Sequence, residues 1–288
     1  MYSETQPVLK PDFSNSSDHI AFLQKTALEL RRSVVKLLQH SRSGHLGGSL
    51  SLADVMSVLY FSILRNDPAN PNWPNRDLFI LSKGHAAPIL YATLTKRGFF
   101  PEAWLDTHRK INSRVQGHPD RQTPGVEVAT GSLGQGLSVM NGMMLAARVD
   151  HRDTHGVAVL GDGECDEGQV WEAAMSGAHH KIPTVAVLDR NNLQIGGTTD
   201  QVKRLEPFKD KWLAFGWQVL EVEGHDIAAL LQAFETAWQT LDQPTLLLTH
   251  TVKGKGVSFM ENQVDYHAKI PADDVFEKAL VELSEQAH

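Results

Sequence analysis

Apolar positions recur at steps of three and four through residues 17 to 41, "SDHIAFLQKTALELRRSVVKLLQHS", so that Ile20, Leu23, Ala27, Leu30, Val34 and Leu37 share one face of a long helix. Ser17 or Asp18 can cap its start. The residues before it, 1–16, are polar and contain Pro7 and Pro11, which predicts a loose tail or an arm lying on a partner. After the helix, "SGHLGGSLS" reads as a glycine-rich turn and "LADVMSVLYFSIL" as a second, buried helix.

The pattern then changes period. Short aliphatic runs, "RDLFILSKGH", "GVAVLGDGE", "PTVAVLDRN", "WQVLEVEG" and "PTLLLTHTVKG", alternate with helical stretches such as "AAPILYATLTKR", "LGQGLSVMNGMMLAAR", "GQVWEAAMSGAHHK" and "DIAALLQAFETAWQ". The runs are apolar at successive positions, as expected of parallel strands covered on both faces. The predicted fold class is α/β: a doubly wound, mostly parallel sheet with helices on both faces. No repeat, low-complexity tract or charged linker divides the chain beyond the tail, so residues 17–288 read as one domain.

Composition narrows the function classes. The 288 residues are 41% apolar, enough for a sizeable core. Net charge is −7, from 27 basic and 34 acidic residues of mixed order, so no basic face for nucleic acid or anionic membrane is expected. Cys165 is the only cysteine, which excludes an intrachain disulfide and fits a reducing compartment. The first residues lack an export signal, and no apolar run approaches the roughly 20 residues that span a bilayer. A soluble, cytoplasmic protein is expected.

Candidate chemistry begins where "VAVL" runs into "GDGECDEG", residues 161–168, with four carboxylates and three glycines at a predicted strand end. In open parallel sheets ligands sit beyond the carboxyl ends of the strands. Glycines let a ligand approach the backbone, and N–H groups at the following helix start can take phosphate oxygens. The acidic side chains would repel that phosphate unless a divalent cation lay between them, which Mg²⁺ does with oxygen ligands from one or two protein groups (Ca²⁺ or Mn²⁺ being alternatives). A second polar turn, "DRNNLQIGG" at 189–197, supplies Asn191 or Asn192 and a nearby carbonyl as further oxygen ligands.

GDG followed after about 25 to 30 residues by an asparagine pair resembles the thiamine-diphosphate enzymes, and the ordered blocks resemble the amino-terminal half of transketolase. Those blocks are "SGHLGGSLS", "LSKGHAAPILYA", "QGHPD", "GVEVATGSLGQGLS", "GDGECDEGQVWEA", "LDRNNLQIGG" and "VKGKG" followed by "YH". The resemblance implies that Asp162, the Asn191 side chain and the Leu193 carbonyl hold Mg²⁺ while the Gly163 N–H faces the diphosphate of thiamine diphosphate. It implies that His85 contacts the diphosphate, and that His45, His118 and His267 face the sugars and move protons. Lys83 would neutralise the diphosphate or hold a loop, and Lys253 would flank the site entrance. Gly131 and Leu133 would meet the thiamine rings through their backbone. Glu167 would sit at a dimer interface on a proton path between two active sites. His151, His155, His179 and His180 match no motif and read as surface residues, and Cys165 as a small buried one.

In this family the glutamate that activates the cofactor comes from a second domain, which the chain does not reach before its end at "EKALVELSEQAH". The resemblance therefore implies a split transketolase. The partner would be a carboxy-terminal subunit carrying the pyrimidine-binding domain, in an α₂β₂ complex that transfers a two-carbon ketol unit from a ketose, usually phosphorylated, to an aldose. Alternatives are a deoxyxylulose phosphate synthase-like reaction from pyruvate, a non-catalytic cofactor-binding subunit, and a plain Mg²⁺-dependent phosphohydrolase.

Overall fold

The structure, a computed structural model, describes residues 11–286. Most of the expected tail, residues 1–10, lies outside them; next to it, Asp12 is tied to the core by its N–H donating to the Ser62 carbonyl at 2.8 Å. The long helix forms as Ser17–Ser41, with Ser16 rather than Ser17 or Asp18 as cap, its hydroxyl accepting from the His19 N–H. Leu23, Ala27, Leu30, Val34 and Leu37 are buried on it.

Each of the five aliphatic runs becomes a strand of one sheet. They are β1 (Leu78–Leu81), β2 (Gly156–Gly161), β3 (Thr184–Arg190), β6 (Gln218–Glu223) and β7 (Thr245–His250). A short antiparallel hairpin, β4 (Leu193–Gln194) with β5 (Gly197–Thr198), stands outside it and was not evident in the apolar pattern. The sheet order is β1-β2-β3-β7-β6 and every pair is parallel.

Alternate strand residues feed two cores. Val157, Val159, Val185, Val187 and Leu247 face the layer built from helices Ser17–Ser41, Ala53–Val58, Ala87–Arg97, Ile227–Gln239 and Asp273–Glu285. Ala158, Leu160, Ala186, Leu188 and Leu246 face the layer of Gln135–Val149, Gly168–His179 and Phe208–Ala214. Burial on both faces is what removes polar alternation from these runs.

Two expectations are corrected. Part of "SGHLGGSLS" is a helical turn, Gly47–Leu50, because the Ser49 hydroxyl donates to the His45 carbonyl at 2.8 Å and tertiary packing overrides weak local propensity. His155 is not a free surface residue: its ring stacks on Trp238 at 4.7 Å and stands 3.6 Å from the Asp77 carboxylate.

Asp77 ties β1 to its surroundings by accepting from the Arg65 guanidinium and from the Arg65 and His155 backbone N–H groups. Burial pushes its pKa up, but the His155 ring beside it, then the Arg65 guanidinium and the two backbone N–H groups, outweigh it and hold the carboxyl below its usual 3.8. A depressed folded pKa gives stability that is present above 3.8 and lost as pH falls beneath it. The gap in denaturant midpoint between the wild type and Asp77→Asn should therefore narrow as pH is lowered from 7 towards 3, with the variant weaker at pH 7.

Candidate functional site

The chain leaves β3, crosses to the edge strand β6 and returns as β7 between them, so the sheet order reverses beside β3. Ligands in open α/β sheets bind at such a switch point, beyond the strand carboxyl ends. Three segments meet there: 161–168 after β2, 191–197 after β3 and 251–254 after β7.

Asp189, the last but one residue of β3, is fully buried and anchors the second and third of these segments. Its carboxylate pairs with the Lys83 ammonium and accepts from the hydroxyls of Ser51 and Thr251 and the Asn191 amide. Burial raises its pKa, but Lys83 and these donors outweigh that and hold it below the usual value. Lys83, itself 2% exposed, also donates to the Gly48 carbonyl at 3.0 Å, which fixes the Gly47–Leu50 turn. Of its two expected uses, loop holding is the one visible here. Lys83→Met would leave a buried carboxylate uncompensated and is expected to cost about 3–5 kcal/mol of folding stability, read by denaturant unfolding.

Asp162 and the 191–193 turn are joined directly: the Asp162 carboxylate accepts the Asn192 N–H at 2.6 Å and the Gly163 N–H at 2.7 Å. Burial, then the charge of Asp189, pushes the Asp162 pKa up to about 6 against the weaker pull of Arg190, whose guanidinium stands 3.4 Å away. A buried carboxylate short of positive charge favours a cation beside it. Asn191 turns its side-chain oxygen to the Leu193 N–H at 3.1 Å, and the Leu193 carbonyl accepts the Lys253 ammonium at 3.0 Å. Among the described residues no three His, Cys, Asp or Glu are grouped to hold a metal. The donors here are instead one carboxylate, one amide oxygen and one main-chain carbonyl, a hard oxygen set that fits Mg²⁺.

Above this floor the rings of His45, His85 and His267 gather, with centroids 5.0, 5.3 and 5.6 Å apart. Burial first, and neighbouring positive groups second, lower their pKa values, to about 4 for His45, about 2 for His85 and about 3 for His267. All three are neutral at pH 7. His267 Nδ1 faces the Lys253 ammonium at 2.8 Å and accepts from it, so the ring proton lies on Nε2. The His45 Nδ1 is buried without a partner, as is the Thr130 hydroxyl in the 129–134 turn. Buried polar atoms of this kind call for a ligand or water.

His118 is exposed at the edge of the group, its carbonyl held by the Tyr91 hydroxyl at 3.0 Å, and its ring covers Gly131. Gly131 has φ +149°, and a Cβ there would stand 3.0 Å from the His118 ring. Leu133 follows in the same turn, half-buried. Glu167 is exposed immediately before the Gly168–His179 helix. Lys253, expected at an entrance, is instead 2% exposed, and burial pushes its pKa down to about 8. Cys165 is buried, and burial raises its thiol pKa well above normal.

Three groups escaped the sequence reading. Glu164 turns inward and accepts from Gly134 N–H, Gly161 N–H and the Ser82 hydroxyl, sewing the acidic turn to its neighbours. Nothing in "GDGECDEG" separates it from Asp166. Asp189 could have been found as a charge inside an apolar strand. His108, buried with both ring nitrogens unpartnered, carries no local signal at all.

Residues 23–280 match the family described as transketolase, thiamine diphosphate binding domain. The chain is 43% identical over 270 residues to a subunit of apulose-4-phosphate transketolase from Phocaeicola vulgatus, covering 92% of this chain and 96% of that protein. It is 41% identical to the 6-deoxy-6-sulfo-D-fructose transketolase subunit SqwG of a Clostridium species, covering 92% of this chain and 97% of that one. Its structure resembles the crystal structure of Campylobacter jejuni transketolase with a TM-score of 0.87 at 33% identity, covering 93% of this chain but 43% of that one. The chain thus spans less than half the length of this solved relative and nearly all of the two named as subunits.

Proposed function

The chain belongs to the transketolase family, with the family's thiamine diphosphate binding domain as its matched part, and on that premise we propose that it is the amino-terminal subunit of a split transketolase. It moves a two-carbon ketol unit from a ketose, usually phosphorylated, to an aldose, together with a partner that carries the pyrimidine-binding domain, in an α₂β₂ complex. Residues 17–288 act as one domain in the cytoplasm. The single observation that carries the catalytic reading is the trio of half-buried, neutral imidazoles, His45, His85 and His267, joined to the 191–193 turn through Lys253. A scaffold that only held a cofactor would not need three neutral bases in one cluster.

Thiamine diphosphate, when bound, supplies the carbanion chemistry of ketol transfer. The chain's own part is to bind and orient. Asp162, the Asn191 oxygen and the Leu193 carbonyl would hold Mg²⁺, and the Gly163 N–H would face the diphosphate. Gly131 and Leu133 would present backbone to the thiamine rings. His267 offers an Nε2 proton because Lys253 occupies its other nitrogen. His45 and His85, neutral at physiological pH, can accept or donate at sugar hydroxyls and at the diphosphate, and His118 borders the way in. Glu167 lies where a neighbouring protomer could meet it.

The test is donor choice in the complex with its partner. Xylulose phosphate should be consumed with an aldose phosphate acceptor, and pyruvate should not. Consumption of pyruvate with release of carbon dioxide would overturn the reading in favour of a deoxyxylulose phosphate synthase-like reaction.

A further inference from the structure

A buried ionic cluster lies behind the site without touching the proposed cofactor or sugar groups. Arg31 on the Ser17–Ser41 helix and Asp54 on the Ala53–Val58 helix form an ion pair, with both guanidinium Nη atoms bonded to the carboxylate and each side chain 8% exposed. His225, in the loop after β6, places Nδ1 2.7 Å from the same carboxylate. Its Nε2 accepts the backbone N–H of Val252 at 2.8 Å. A backbone amide can only donate, so Nε2 carries no proton and the ring proton is on Nδ1, directed at Asp54. The imidazole is thereby a spacer of fixed tautomer between a buried anion and one amide. Burial raises the Asp54 pKa, but Arg31 and His225 outweigh it and keep the carboxyl ionised.

The amide it holds is next to Lys253, and the chain there has little slack. The Gly224 N–H donates to the His250 carbonyl at 2.8 Å, and a Cβ at Gly224 would come within 2.5 Å of the Thr251 methyl, so the two loops are in direct contact. On the other side the Gly254 N–H donates to the Gly47 carbonyl at 3.0 Å. The Lys253 stem crosses Gly47, where a Cβ would stand 2.9 Å from Lys253 Cγ. From this position its ammonium reaches both His267 and the Leu193 carbonyl.

We propose that His225 is a positioning residue: backed by Arg31 and Asp54, it holds the Val252 amide so that the Lys253 ammonium stays on His267 and on the Leu193 carbonyl. The catalytic consequence rests on the transketolase reading of the site; the positioning does not.

Two substitutions separate the two bonds of the imidazole. In His225→Asn the side-chain amide can still donate to Asp54 but is too short to accept from Val252. In His225→Gln an amide oxygen reaches the place of Nε2. Hydrogen exchange of the isolated chain should quicken about 10-fold or more across residues 251–256 in the Asn variant and stay near wild type in the Gln variant. In the complex with its partner, kcat for ketol transfer should fall about 10-fold with Asn at little change in donor KM, and recover with Gln. Unchanged exchange in the Asn variant, or equal exchange in both, would overturn the positioning itself, whatever reaction the site performs. Faster exchange with undiminished turnover would overturn the link from Lys253 to catalysis. If the wild-type complex transfers no ketol unit, the functional reading fails, and the exchange result still decides the positioning.

Discussion

An Asp162→Ala chain is expected to fold about as well as the wild type and to lose metal-dependent uptake of thiamine diphosphate by about 100-fold or more, with turnover of the complex falling at least in step. The two halves of this expectation have separate causes. Asp162 is 2% exposed, and its raised pKa means that its charged form is poorly compensated in the fold by itself. Removing it forfeits the bonds from Gly163 and Asn192, each worth about 1 kcal/mol, but also removes a buried charge beside Asp189. These terms oppose each other. If Asp162 only stabilised the turn, the variant would unfold more easily and its cofactor uptake would keep its metal dependence. Thermal unfolding and cofactor titration on the same preparation distinguish the outcomes. Lys83→Met serves as the contrast, since it should destabilise the fold by stranding Asp189.

The second large effect is dependence on a partner. On the split-enzyme proposal the purified chain should show no ketol transfer above background, and mixing with the pyrimidine-domain subunit should raise the rate by at least about 1,000-fold, because the proposal assigns the proton transfers that activate the cofactor to groups from both halves. A coupled assay of ketose consumption, run with a titration of the partner, reads this directly. Saturation at one partner per chain would agree with an α₂β₂ assembly, and full activity without any partner would rule out a split enzyme.

Four of the five main strands and their helices were legible because burial on both sheet faces leaves uninterrupted aliphatic runs that end in Ser, Gly, Asp or Thr, whereas the edge strand β6 is half-exposed and carries Glu221 and Glu223. The Gly47–Leu50 turn was not, since Gly and Ser have poor helix propensity and the turn is held by contacts from Lys83 and Lys253, far along the chain. The same distinction runs through the site. Asp162, Asn191 and the histidines stand in short motifs whose residue types already suggest their chemistry. Asp189 with Lys83, and Arg31 with Asp54 and His225, are partners separated by many residues, and no local pattern records that they meet. Lys253 was misplaced at an entrance for this reason: its burial follows from the close approach of Gly47 and Gly254, which only the tertiary structure reveals.

The most direct test is calorimetric titration of thiamine diphosphate into the complex of the chain with its partner, in Mg²⁺ and again after chelation. The account predicts one site per chain with Mg²⁺ present and binding weakened about 100-fold or more without it. Equal affinity in both conditions, or no binding in either, would contradict it.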